Sequence, residues 1–237
     1  MATINKKKTI GILGGMGPLA SANLYLKIIK MAQEKYAAVQ DIDYPPIMVY
    51  SLPLSDFDET GIMNGEKVKS QLTHGVKKLE QMGCDFIIIA CNTVHYYFEE
   101  MQKAINIPIV SIIEETAKLV ANNNLETVGL LSSQSTQDLK IYHKKLNSLG
   151  IKTISPTAKE QKIINTIILK VMSGQHTSKD KQSLKNITKN LIEKGAQTIV
   201  LGCTEIPLLI NQKDLNIKVF DTVEIISSVA LKKAMKG

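Results

Sequence analysis

Three pieces of this chain recur in the same order at nearly the same spacing, and that internal repeat limits what the chain can fold into more than any single motif does. Thr9-Ile-Gly11-Ile-Leu-Gly-Gly-Met-Gly17 has a counterpart in Thr127-Val-Gly129-Leu-Leu-Ser-Ser-Gln-Ser135, offset by 118. Leu79 and Gly83, leading to Cys91-Asn92, are matched by Leu191 and Gly195, leading to Cys203-Thr204, offset by 112. Asn106-Ile-Pro-Ile-Val-Ser111 and the Glu114 that follows are matched by Asn216-Ile-Lys-Val-Phe-Asp221 and Glu224, offset by 110. One such match among apolar strands is weak, but an ordered set of three implies two similar halves. Within the first half, short apolar runs alternate with helical patterns, as a parallel sheet with helices on its faces requires. The expectation is an α/β fold of two pseudo-symmetric lobes, each a mostly parallel sheet flanked by helices. The first lobe spans 1–111 with a C-terminal helix, 222–237, packed back onto it; the second spans 112–221.

The ends of two repeated strands carry the chemistry. Phe86 to Ala90 is a continuous apolar run that stops at Cys91, Asn92 and Thr93, and Thr198 to Leu201 stops at Gly202, Cys203 and Thr204. Uninterrupted apolar runs suit central strands covered on both faces. Ligands of open α/β sheets sit beyond the carboxyl ends of such strands. A lone cysteine is as readily a core residue as a reactive one. Two of them at equivalent strand ends, facing across a pseudo-two-fold cleft, can instead take a proton from one side of a carbon and deliver one to the other. A helix N-terminus after the strand and hydrogen bonds from Asn92, Thr93 and Thr204 favour the thiolate.

Ahead of both strands, Gly14-Gly15-Met16-Gly17-Pro18 opens a helix expected from Leu19 to Tyr36. Glycines there admit a ligand to the backbone amides, and the helix start favours an anion. A dinucleotide is the rival occupant, but the spacing departs from G-x-G-x-x-G and no acidic strand end follows at the required distance. A strand over Ile47 to Ser51 leads into a polar loop reaching Gly65, long enough to be a lid or a wall of a site. A helix from Glu66 to Met82 closed by Gly83, a helix starting near Val94 and a strand over Ile107 to Ser111 complete the first half.

The net charge of +7 comes from lysine alone, for the chain has no arginine, and aromatic residues make up only 5%. Base recognition and stacking both depend on those residues, so no nucleic-acid partner is expected. No apolar run is long enough to span a membrane, and the stretch behind Lys6-Lys7-Lys8 is broken by glycines and Pro18, so a cytoplasmic protein without a membrane partner is expected. The cysteines, Cys84, Cys91 and Cys203, lack metal-ligand spacing, and neither a disulfide framework nor a metal site is expected.

The glycine turn Gly14 to Pro18, Cys91-Asn92-Thr93-Val-His95 and Gly202-Cys203-Thr204-Glu205 resemble the signatures of the aspartate/glutamate racemases, across nearly the whole chain and in the expected order. The resemblance implies a racemase of amino acids that needs no pyridoxal phosphate or other cofactor, commonly a homodimer, with Cys91 and Cys203 as opposed acid and base. It implies substrate contacts from Met16, Gly17, Ser51, Asn92, Thr93, Ser133, Thr136 and Thr204. Glutamate-specific members usually carry His-Tyr-Pro after the second Cys-Thr; Glu205-Ile206-Pro207 here resembles the aspartate branch. Aspartate-specific members also tend to have an arginine in the loop after the second strand and a lysine before the glycine that ends a later helix. Here Leu52 to Thr60 has no basic residue, Met172 occupies the lysine position, and Lys170 lies two residues away. The substrate is therefore aspartate, glutamate or another amino acid. A hydantoin-type racemase and a catalytically silent binder of small carboxylates are the alternatives; a silent binder has no need of two opposed thiols.

Overall fold

The computed structural model describes residues 7–236. In the first half, β1 (Ile10–Gly14), α1 (Pro18–Tyr36), β2 (Ile47–Ser51), α2 (Gly65–Gln81), β3 (Phe86–Ile89), α3 (Phe98–Lys103), β4 (Ile109–Val110) and α4 (Ile112–Ala121) follow one another. The second half comprises β5 (Thr127–Leu131), α5 (Gln134–Asp138), α6 (Ile141–Asn147), β6 (Lys152–Ile154), α7 (Ala158–Met172), α8 (Ser178–Glu193), β7 (Ile199–Leu201), β8 (Val219–Asp221) and α9 (Thr222–Met235). The strands form two four-stranded sheets, ordered β2-β1-β3-β4 and β6-β5-β7-β8, and every pairing is parallel.

The repeat holds to the residue. Gly11 stands opposite Ile87 and Ile87 opposite Ile109; in the other sheet Gly129 stands opposite Ile199 and Ile199 opposite Val219. The repeated glycines answer to packing. A Cβ on Gly11 would lie 3.0 Å from Cys84 Sγ, and one on Gly129 would lie 2.7 Å from Ile199 Cδ1. Repeated caps match too: Ser111 accepts the Glu114 N–H at the start of α4, and Asp221 accepts those of Val223 and Glu224 at the start of α9.

Successive strand residues point to opposite faces. Ile10, Ile12, Phe86 and Ile88 of the first sheet and Val128, Leu130, Val200 and Phe220 of the second face a shared core that includes residues of α1, α4, α6 and α9. The opposite faces are covered separately, the first by α2 and α3, the second by α7 and α8. Helix α9 leaves the second sheet and packs on α1 and α4, where Lys27 of α1 meets Asp221 at 2.7 Å and Lys8 N–H donates to Ala234 O at 3.0 Å.

Two sequence expectations shift. The helix expected near Val94 begins instead at Phe98, because Thr93–Tyr97 winds as a 3-10 turn with His95 Nδ1 bonded back to Cys91 O at 2.9 Å. The strand expected over Ile107 to Ser111 shrinks to Ile109–Val110, since Gln102 takes the carbonyl of Ile107 and the N–H of Ile109, while Glu80 accepts the amides of Asn106 and Ile107. No described helix is long and apolar enough to cross a membrane.

Candidate active site

Both cysteines lie just past the carboxyl ends of equivalent strands and line one cleft. The backbone delivers them in the same way: Ala90 N–H donates to Leu13 O at 2.9 Å before Cys91, and Gly202 N–H donates to Leu131 O at 2.7 Å before Cys203. Gly202 has no room for a side chain, because a Cβ there would lie 2.8 Å from Leu130 Cδ1 and 3.1 Å from the Tyr142 ring. Cys84, by contrast, packs against Gly11 near the opposite end of the first sheet.

The cleft is lined by Met16, Phe57, Glu59, Cys91, Asn92, Thr93, Ser133, Cys203, Thr204 and Glu205. Met16, Asn92, Thr93, Ser133 and Thr204, singled out from the sequence, are thus brought together with the thiols. Gly17 and Thr136 stand immediately behind them: Gly17 N–H donates to Glu205 Oε1 at 3.2 Å, and Thr136 Oγ1 lies 2.7 Å from Thr93 Oγ1. Ser51 is exposed at the end of β2, outside the lining. Lys170 forms an ion pair with Asp180 at 2.7 Å, and Met172 reaches toward Gly17.

Several bonds tie the halves together at this point. Thr93 Oγ1 lies 3.2 Å from Ser133 Oγ, Thr204 Oγ1 lies 3.4 Å from Ala90 O, and the Tyr142 hydroxyl donates to Asn92 Oδ1 at 2.6 Å. A hairpin tip from the long β2–α2 loop closes over the cleft. Its Phe57 and Ile62 pair across the tip, and Asp58 Oδ1 accepts from Thr60 N, Thr60 Oγ1 and Gly61 N. From the other half, Ser135 holds it down: its N–H donates to Glu59 O at 3.1 Å and its hydroxyl to Asp58 O at 3.0 Å. The free space left is about 20 Å³, room for about one water. A larger occupant requires the cleft to widen, and this hairpin forms one of its walls.

The electrostatics of the two thiols differ in detail. Burial pushes Cys91 up to about 12; the N–H groups of Val94 and Thr93 pull against that shift, and Glu205 and Glu59 add to it. Cys203 is held well above the ordinary thiol value by burial, then by Glu205. The Cys203 thiol donates to Glu205 Oε2 at 3.1 Å, and the Thr204 hydroxyl lies 3.1 Å from the same oxygen. At neutral pH both sulfurs therefore keep their protons. His95 is no base: burial drives it down to about 4, and it uses both nitrogens structurally. Its Nε2 accepts the Ile112 N–H at 3.3 Å, which leaves the proton on Nδ1, facing Cys91 O. Sequence reasoning had no role for Glu205, Glu59 or Phe57. The signal for Glu205 was its place beside Cys203-Thr204; the other two sit in the long loop read as a lid or wall. Among the described residues no group of three or more His, Cys, Asp or Glu side chains is placed to hold a metal ion.

The Asp/Glu/Hydantoin racemase family model matches residues 13–230, a span that includes both cysteine-bearing strand ends and all of both sheets except the first three residues of β1. The chain belongs to that family. It is 33% identical over 213 residues to the broad-specificity amino-acid racemase RacX of Bacillus subtilis (strain 168), covering 90% of this chain and 92% of the relative. Its fold is similar to that of an aspartate racemase homologue from Pyrococcus horikoshii OT3, with a TM-score of 0.81 at 31% identity over 96% of this chain and 99% of the other. The aspartate racemase of Picrophilus torridus superposes with a TM-score of 0.80 at 27% identity, over 96% and 94% of the two chains. This racemase therefore shares its architecture along nearly the full length of these two structures.

Proposed function

We propose that this racemase inverts free amino acids without a cofactor, by proton transfer at Cα between Cys91 and Cys203. The observation that carries the proposal is that two thiols at equivalent strand ends of two sheets with the same strand order line one cleft. For one enantiomer, the Cys203 S–H bond breaks and its proton passes to Glu205 Oε2, leaving a thiolate. The thiolate forms a new S–H bond with the Cα proton while the C–H electron pair stays on Cα, spread into the substrate carboxylate. Cys91 then gives its proton to the opposite face, and its thiolate is held by the Thr93 and Val94 N–H groups. Glu205 returns its proton to Cys91 through solvent once product leaves. For the other enantiomer the same sequence runs in reverse: Cys91 loses its proton to Glu205 through solvent, its thiolate takes the Cα proton, Cys203 protonates the opposite face, and its thiolate recovers a proton from Glu205 Oε2. Asn92, Thr93, Ser133 and Thr204 are the donors proposed for the substrate carboxylate, with Met16 and Gly17 shaping that side of the cleft.

The lobes we propose are 1–111 with 222–237, and 112–221. We also propose a homodimer; Tyr25, Leu26, Pro45 and Ile47 line a shallow groove beside the edge strand β2, an apolar face suited to a second copy. Light scattering tests that assembly. For the chemistry, the test is deuterium incorporation at Cα from D₂O, screened over the proteinogenic amino acids by mass spectrometry. Exchange coupled to inversion is expected for at least one. Binding of an amino acid without any exchange would make this a silent carboxylate binder.

A further inference from the structure

Resting on the racemase reading, we infer that the cleft is built for an amino acid with a cationic side chain, a diamino acid such as lysine or ornithine, and that Glu59 is the residue that selects it. The ionisable lining consists of two thiols and two carboxylates, Glu59 and Glu205, with no lysine or histidine, in a chain whose net charge is +7. The local sign is thus opposite to that of the molecule. An aspartate or glutamate substrate would bring a second carboxylate into a site that already holds two and must generate a thiolate besides.

The two glutamates are not equivalent. Glu205 is engaged by the protein, taking Gly17 N–H on Oε1 and Cys203 and Thr204 on Oε2. It belongs to the reacting thiol. Among the described residues, Glu59 meets no cation, and its carboxylate has only its own backbone N–H as a donor; burial, then Glu205 and Asp58, push its carboxyl up. Such a group, half-buried at the tip of the covering hairpin, is costly without a partner and is relieved by an incoming ammonium. Where a cation could have approached from α7, Met172 Cε lies 3.4 Å from the position a Cβ on Gly17 would take, and Lys170 is held by Asp180 at 2.7 Å. The hairpin that carries Glu59 also forms a wall of the cleft that substrate must enter. Ser135 grips the carbonyls of Asp58 and Glu59, so closure sets the carboxylate against whatever side chain has entered.

The test measures Cα exchange and inversion with the intact protein on lysine, ornithine, methionine, aspartate and glutamate. Lysine and ornithine should exceed the acidic pair by about 100-fold in kcat/KM. Glu59→Gln, checked for folding by circular dichroism, should shrink the lysine-to-methionine preference about tenfold, chiefly through the KM for lysine. Faster turnover of aspartate or glutamate, or an unchanged lysine-to-methionine ratio in the variant, overturns the inference while leaving the racemase reading intact. Absence of Cα exchange on every amino acid would overturn the racemase reading instead. The charge selection is then decided by ligand-induced Tm shifts, lysine raising Tm more than aspartate if it holds and not if it fails.

Discussion

Thiol alkylation as a function of pH tests the electrostatics of the cleft directly, without any assumption about substrate. Cys91 is pushed up to about 12 by burial and by the two glutamates. At pH 7.5 its thiolate fraction would then be about three in a hundred thousand, against about one in ten for a free cysteine with a pKa near 8.5. The scarcer thiolate is the better nucleophile, and with a Brønsted slope near 0.45 this recovers about fortyfold of a roughly three-thousandfold deficit. The net expectation is alkylation about a hundredfold slower than that of a free thiol at that pH. Steric shielding under the hairpin slows reaction as well, but by the same factor at every pH, so the shape of the profile decides. Iodoacetamide rates for the Cys91 and Cys203 peptides, followed by mass spectrometry, should climb close to tenfold per pH unit up to about pH 9.5 without levelling. Glu205→Gln should move both profiles toward lower pH, and Cys203 more, since its thiol touches that carboxylate. A Cys91 profile that bends near pH 8.5 and levels by about pH 9.5, as a free thiol's does, would refute the account of a doubly protonated resting site.

Cys91→Ala and Cys203→Ala should each remove inversion in both directions by about a thousandfold or more, because equilibrium requires the two directional rates to fall together, whereas Cys84→Ala, packed on Gly11 away from the strand ends, should leave turnover nearly intact; chiral chromatography from either enantiomer reads both. Gly202→Ala drives a methyl into Leu130 and Tyr142, so calorimetry should show a loss of about 1–3 kcal/mol, several degrees of Tm, with weakened activity from the displaced Tyr142–Asn92 bond. His95 is depressed to about 4 from 6.5, so the unfolded chain binds the proton first as pH falls; its contribution is complete above about pH 6.5 and declines toward pH 4, by roughly 3 kcal/mol in all. Urea midpoints at both ends of that window should diverge, and His95→Gln should flatten the difference.

Much of the architecture was legible because the repeat records strand registry. Equivalent glycines and isoleucines recur where parallel strands pair, so offsets in the chain became matching pairs in the two sheets. The cysteines were legible for a related reason: an apolar run that ends in small polar residues marks where a buried strand opens to solvent. What stayed hidden depends on loops, whose side chains carry no period. Nothing in the spacing of Phe57 or Glu59 says that the hairpin folds toward the second sheet; Ser135 decides that, 76 residues beyond Glu59 in the chain. His95 was hidden in another way. It belongs to a motif centred on Cys91, yet its nitrogens are spent on backbone groups of Cys91 and Ile112.

The repeat also shows where symmetry stops, and that boundary bears on mechanism. The two sheets match strand for strand, but the thiols they deliver are wired differently. Cys91 sits over the first N–H groups of a 3-10 turn and is held from behind by His95, whereas Cys203 donates its own hydrogen to a buried carboxylate two residues on. Backbone N–H groups favour the anion, and an adjacent carboxylate favours the thiol. The Glu205 carboxylate holds the resting proton on Cys203, and an ammonium entering the cleft would relieve the repulsion that Glu205 exerts on both sulfurs and Glu59 on Cys91. A substrate cation would then do more than hold its own molecule in place: it would lower the cost of forming whichever thiolate that enantiomer needs. Under the two-thiol proposal, that coupling would let a site with no protein cation in its lining run base chemistry at neutral pH.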